Sequence, residues 1–281
     1  MSWKLPSRGV LLSPPTDALT RALGARLGAV AQRVESCGVV VDVGTDHGRL
    51  PIALLKAGMA EHAIAVDIHE EPLAGARARV ERAGMSARMT FLLGNGLLPM
   101  GDRRADALTI AGVGGALVGR VLREQQPERY GIRRVVAQPM SEERVLRAMV
   151  SGTAWQIVDE ALVVEAGRLF LVIVLEHQAT PTPALTVEDV ILGPRLRHNR
   201  LPEYAAWLRV QQRWLQVRQS ARLSHSPNAE PTETDAPNTE HGEPPSCARL
   251  WPTDGTEPRL HVALHLSVVQ DAMLTFPLSK E

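Results

Sequence analysis

Five short apolar runs, each followed by a polar or helix-patterned stretch, constrain the fold of this chain more than any other feature. They span residues 38–42, 63–67, 89–93, 107–111 and 134–138. Runs of this length without polar alternation fit strands covered on both faces, as in a parallel sheet. Between them, residues 51–57 and 72–83 carry helical patterns, and the second stops at Gly84, where a helix favours a left-handed cap. Strand–helix alternation predicts an α/β fold built on a doubly wound, mostly parallel sheet. Residues 162–164 and 169–175, joined by Glu-Ala-Gly-Arg, predict a terminal antiparallel hairpin.

The rest of the chain has a different texture. The 281 residues balance 31 basic against 31 acidic groups, but the balance is not local. Residues 185–223 hold seven arginines against three carboxylates, whereas 224–258 hold seven carboxylates, seven prolines and one arginine. The first of these segments places Tyr204, Leu208 and Leu215 at helical spacing, with Trp207 and Trp214 seven apart. The second lacks the apolar groups that offset the entropy of ordering and is expected to be disordered. Near the C-terminus, Leu260, Leu264, Val268 and Ala272 recur every four residues, although RLHVALHL also alternates with period two. A helix is expected there, and a strand stays open. The expected division is an N-terminal extension (1–16), an α/β domain (17–180), a basic helical segment (181–223), a disordered acidic linker (224–258) and a C-terminal helix (259–281). Two cysteines exclude a disulfide scaffold, and the His261/His265 pair lacks further ligands, so no metal is expected. No run approaches the roughly 20 apolar residues of a membrane span, nor does the N-terminus read as a signal peptide. A cytoplasmic location is expected, and the oligomeric state is not specified.

In doubly wound sheets the ligand sits beyond the carboxyl ends of the strands. The first strand runs into Asp42-Val-Gly44-Thr45-Asp46-His47-Gly48, and the second ends at Asp67. A carboxylate there can accept hydrogen bonds from ribose hydroxyls. A dinucleotide fingerprint requires GxGxxG facing a pyrophosphate, but this turn is Gly44-x-x-x-Gly48 and carries Asp46. Carboxylates in the turn repel a diphosphate and attract the sulfonium and ammonium of S-adenosylmethionine. Alternatively, Asp42 and Asp46 cap the following helix. Two further glycine clusters, Gly94-Asn95-Gly96 and Gly112-Val113-Gly114, follow strand ends. Asn95 can exchange hydrogen bonds with an adenine edge, and the glycines after Ala111 leave room where methyl group and acceptor meet. Gln138 and Pro139 close the fifth strand and are expected on the acceptor side.

Taken in order, VVDVGTDHGRLPIALL, AVDIHEEPL, LLGNGLLP, IAGVGG and VAQP resemble the bacterial tRNA (adenine(22)-N1)-methyltransferases of the TrmK type over about residues 17–223. The resemblance implies a Rossmann-like class I methyltransferase domain followed by a helical, coiled-coil-like hairpin, here interrupted by the acidic linker. It further implies methyl transfer from S-adenosyl-L-methionine to N1 of a D-loop adenine in tRNA. Gly44, Asp46, His47, Leu50, Asp67, Gly94, Asn95, Gly96, Gly112 and Gly114 fall where that family binds its cofactor. The flanking Asp42, Thr45, Ile68, His69, Leu97, Ala111 and Val113 are expected at the same site. The chain departs from the family at His69-Glu70-Glu71-Pro72 and at Val113, where Asn-Glu-Gly-Pro and methionine are usual.

Neutral adenine presents a lone pair at N1, so transfer needs no prior deprotonation, but the ring becomes cationic. A nearby carboxylate would stabilise that charge or take the N6 proton, and Asp46 is the expected catalytic group, with His47 second. The base must be turned out of the tRNA, and its phosphates need cationic partners. Arg195, Arg197, Arg200, Arg209 and Arg213 are expected to grip the RNA backbone; the alternative is a solvated helix face. A methyltransferase of another substrate class and a non-catalytic RNA-binding protein that keeps the fold both stay open.

Overall fold

The computed structural model describes residues 18–198, 202–225 and 262–275, with side chains through 216 in the second segment and over 266–274 in the third. Expectations for 1–16, for Arg200 and for most of the acidic linker therefore lie outside the described residues. The chain divides into two compact units, one up to Pro183 and one from Ala184.

In the first unit seven strands form one sheet in the order β3-β2-β1-β4-β5-β7-β6. The parallel strands are β1 (Cys37–Val43), β2 (Ala60–Asp67), β3 (Met89–Leu93), β4 (Ala107–Gly114) and β5 (Arg134–Ser141). The hairpin strands β6 (Trp155–Glu165) and β7 (Arg168–His177) run antiparallel to their neighbours. Ala166 and Gly167, both at positive φ, make the two-residue turn between them, a geometry that matches the twist of paired strands.

The central strands are apolar for the reason inferred above: Val40, Val41, Leu108, Ile110, Val135 and Val136 are buried between helical layers. Those helices are α1 (Ala18–Leu23), α2 (Ala25–Ala31), α3 (Arg49–Lys56), α4 (Glu70–Arg82), α5 (Gly115–Glu124) and α6 (Glu143–Val150). Strand order reverses between β1 and β4, so the carboxyl ends of these two strands flank the crevice where such sheets bind ligands.

Ahead of β1 the chain breaks between α1 and α2 at Gly24 (φ +87), where a β-carbon would collide with the Glu165 carboxylate. Strand β4 continues through Gly112 and Val113 to Gly114, with register irregularities against β5, so this glycine cluster is a bulged strand end rather than a loop.

The second unit contains α7 (Val187–Leu192), α8 (Pro202–His225) and α9 (Val262–Thr275). Thr186 and Asp189 form a reciprocal capping box at the start of α7. Of the two readings left open for the C-terminal segment, the helix is the one formed. Trp207 is buried and stacks on Tyr204 with ring centroids 5.8 Å apart, so it packs the unit and is not displayed for base stacking. No helix among the described residues is long and apolar enough to cross a membrane.

Candidate cofactor and acceptor site

Asp42, one residue from the end of β1, sits between Ala65 of β2 and Thr109 of β4. Its carboxylate is buried and accepts a hydrogen bond from Thr109 Oγ1 at 2.6 Å. Burial raises its pKa from 3.8 to about 6; the Thr109 and Thr45 hydroxyls offset part of the rise, and the Asp67 charge adds to it.

The turn that follows is built on positive φ values at Gly44 (+73), Asp46 (+50) and Gly48 (+68). Only Val113 of β4 comes near a β-carbon placed on Gly44, at 3.8 Å, so a side chain there would fill space that the backbone leaves open. The Gly44 and Thr45 amides donate to Val66 O at 2.9 and 3.1 Å, which locks the turn to β2. The capping alternative fails: α3 starts from Gly48, and no side chain caps it. Asp46 is instead 70% exposed, and its carboxylate lies 3.5 Å from His47 Nε2. The His47 ring covers Gly75 of α4, whose β-carbon would lie 3.1 Å from Nδ1.

At the end of β2, Asp67 takes one backbone hydrogen bond on each carboxylate oxygen, from Asp46 N and from His69 N, both at 3.1 Å. These amides fix its rotamer and join the two loops. Ile68 is exposed beside it, and His69 is the extended residue that precedes α4. The Gly94 amide donates to Asp67 O at 2.8 Å, which brings the 94–96 turn to the same end of the sheet. Gln125, capping α5, accepts from Leu97 N at 2.5 Å.

The structure therefore gathers Gly44, Asp46, His47, Asp67, Ile68, His69, Gly94, Asn95, Gly96 and the Ala111–Gly114 strand end along the carboxyl edge of the sheet. Three expectations need correction. Leu97 is wholly buried and Leu50 nearly so, so both support the wall from behind. Gln138 has no exposed surface; it accepts from Arg26 Nη1 at 2.6 Å and donates to Pro139 O at 2.9 Å, so it cannot reach an acceptor directly, and Pro139 is buried beside it. Arg197 is held by Glu188 at 2.8 Å and Asp189 at 3.1 Å and is not free for phosphates. Arg195, Arg209 and Arg213 do lie on exposed surface.

Arg26 at the start of α2 and Glu142 before α6 were missed. A β-carbon on Gly112 would lie 3.8 Å from Arg26 Nη1, and one on Gly114 would lie 2.9 Å from Glu142 Oε2. Glu142 adopts φ +57, an uncommon conformation for a side chain of its size. Its position directly after the strand end was the only sequence signal; for Arg26 there was none.

Residues 23–173 match a family described as a methyltransferase domain. Over 154 residues the chain is 32% identical to the tRNA (adenine(22)-N(1))-methyltransferase of Bacillus subtilis, spanning 55% of this chain and 65% of that protein, just under two thirds of its length. It is 31% identical over 157 residues to a candidate tRNA methyltransferase of Mycoplasma pneumoniae, covering 55% of this chain and 71% of that one. Among solved structures, a candidate tRNA (m1A22) methyltransferase of Streptococcus pneumoniae in complex with S-adenosyl-L-methionine superposes with a TM-score of 0.68 at 25% identity. That match covers 88% of this chain and 98% of the other.

Proposed function

Since this chain belongs to the methyltransferase-domain family matched over residues 23–173, we propose that it transfers a methyl group from S-adenosyl-L-methionine to N1 of an adenine in tRNA, the D-loop adenine 22. The observation that carries the proposal is the anionic switch point: Asp42, Asp46 and Asp67 surround a turn held open at Gly44. A sulfonium donor gains from these charges, and a diphosphate does not. The relatives named for adenine-N1 methylation of tRNA carry the choice of acceptor.

The residues present suit the cofactor. Asp67 is oriented by two amides and keeps lone pairs for both ribose hydroxyls, while the exposed Asn95 amide would exchange hydrogen bonds with the adenine edge. The space over Gly44 would be filled by any side chain, as a close-lying ligand requires. When bound, S-adenosyl-L-methionine supplies the methyl group and a good sulfur leaving group.

The chain's own residues do the rest. Adenine N1 needs no base before transfer, and its ring gains positive charge as the bond forms. Asp46, exposed and paired with His47, stabilises that charge or takes the N6 proton. Gly112 leaves room for the flat base, and Arg195, Arg209 and Arg213 of the second unit hold RNA phosphates.

The test is transfer of label from methyl-labelled donor to bulk tRNA, followed by nucleoside mapping. The expected product is 1-methyladenosine at one D-loop position. Label in another nucleoside, or none in tRNA, would refute the assignment.

A further inference from the structure

A guanidinium stands at the acceptor end of the crevice, and cofactor binding gives no reason for it. Arg26 lies in the first turn of α2, directly after the break at Gly24. Its Nη1 donates to Gln138 Oε1 at 2.6 Å, its Nε lies 4.0 Å from Glu165 Oε2, and its guanidinium carbon lies 5.7 Å from the centre of the Phe170 ring. Its own amide donates to Glu165 Oε1 at 3.1 Å, so backbone and side chain are both tied to the β6–β7 hairpin.

Gln138 makes this anchoring rigid. It is wholly buried, and its amide group donates to Pro139 O and approaches Met140 Sδ, which leaves its oxygen turned towards Arg26. Arg26 thus has one donor engaged by Gln138 and a loose ion pair to Glu165. Its side chain remains 25% exposed beside Gly112, where the absent β-carbon leaves the approach open. The Nη2 edge makes no hydrogen bond among the described residues.

A fixed cation at this place does not suit a sulfonium donor or a purine ring becoming cationic, since like charges repel in a partly dry crevice. It suits an anion. We propose that Arg26 is a phosphate anchor: its free edge pairs with a phosphodiester flanking the target nucleotide and holds the backbone while the base is turned out over Gly112. The proposal rests on the tRNA reading above. A planar fork pairs two phosphate oxygens at once, which a lysine ammonium cannot do, and extruding a base requires the flanking backbone to be held. Gln138 is accordingly a positioning residue that acts through Arg26.

The test compares wild type with Arg26→Gln and Arg26→Lys in donor binding by calorimetry and in tRNA methylation across a salt series. Both variants are expected to bind S-adenosyl-L-methionine within about twofold of wild type, which also reports an intact fold, while kcat/KM for tRNA falls about 10–100-fold, mainly through KM, the loss of one charged contact at ~1.4 kcal/mol per tenfold. In Arg26→Gln the slope of log affinity against log salt becomes shallower by about 0.7–0.9, the equivalent of one phosphate, and Arg26→Lys lies between. An Arg26→Gln protein with the wild-type KM and salt slope overturns the anchor and leaves the tRNA reading standing. Loss of donor binding in both variants also overturns it, because Arg26 would then be a brace for the fold. A wild-type protein that methylates no tRNA overturns the underlying reading.

Discussion

Replacing Asp42 by asparagine isolates the cost of the buried carboxylate on β1. The Asn oxygen can still accept from Thr109 Oγ1, so the variant removes the charge and keeps the shape. The acid's pKa rises from 3.8 to about 6, with burial as the leading cause. At about 1.4 kcal/mol per pH unit, this difference amounts to about 3 kcal/mol. The sign follows from proton binding. Between pH 3.8 and 6 the folded protein holds more protons at this position than the unfolded chain. Folding is therefore favoured below that window, and the advantage is lost as pH rises through about 6. Asp42→Asn has no such dependence. The unmet donors of its amide carry a penalty of about 1–3 kcal/mol that is independent of pH, so the diagnostic is the slope and not the offset. Urea denaturation of donor-free protein from pH 4 to 7.5 should show the variant gaining about 3 kcal/mol on wild type across the range. Parallel stability curves would refute the claim that this carboxylate is buried at a cost. On the proposed function that cost has a reading, since it keeps a charge at the switch point, where the donor's cationic groups would bind.

Further outcomes follow from the same structure. Arg147 Nε and Glu160 Oε1 pair at 2.8 Å with both side chains wholly buried, so Glu160→Leu alone should lose about 3–5 kcal/mol in chemical denaturation, and the double replacement Arg147→Met/Glu160→Leu should recover most of it. Asp46 sits at φ +50, which asparagine adopts at less cost than alanine; Asp46→Asn should bind donor within a few-fold of wild type and methylate tRNA about 10²-fold more slowly, and an unchanged kcat would remove its catalytic role. Arg209→Gln together with Arg213→Gln should weaken tRNA binding and flatten its salt dependence by about 1.4–1.8 in log–log slope, with donor affinity unchanged.

The five parallel strands were legible because each is a continuous apolar run covered on both faces, and Asp42, Gly44, Asp46 and Asp67 because they stand where those runs stop. The first half of β6 was not. Its Asp159 and Glu160 break the apolar pattern, and only the folded chain pairs them with Arg33 and Arg147. Arg26 was missed for the same reason, since its partners Gln138 and Glu165 lie 112 and 139 residues away and only the folded sheet brings them together. Gln138 illustrates the converse: it stands at a strand end like the other site residues, but the side chain turns inward, a direction that a run of mixed polar and apolar residues does not specify. With Arg197, its place in a basic segment suggested a phosphate ligand, whereas the capping-box acid Asp189 and its neighbour Glu188 sit eight and nine residues earlier and claim the guanidinium.

The most direct measurement is calorimetric titration of the full chain with S-adenosyl-L-methionine and, separately, with NADH. A carboxylate-lined crevice that serves methyl transfer predicts saturable one-site heat with the sulfonium compound and none with the dinucleotide. Tight NADH binding combined with no response to S-adenosyl-L-methionine would contradict it.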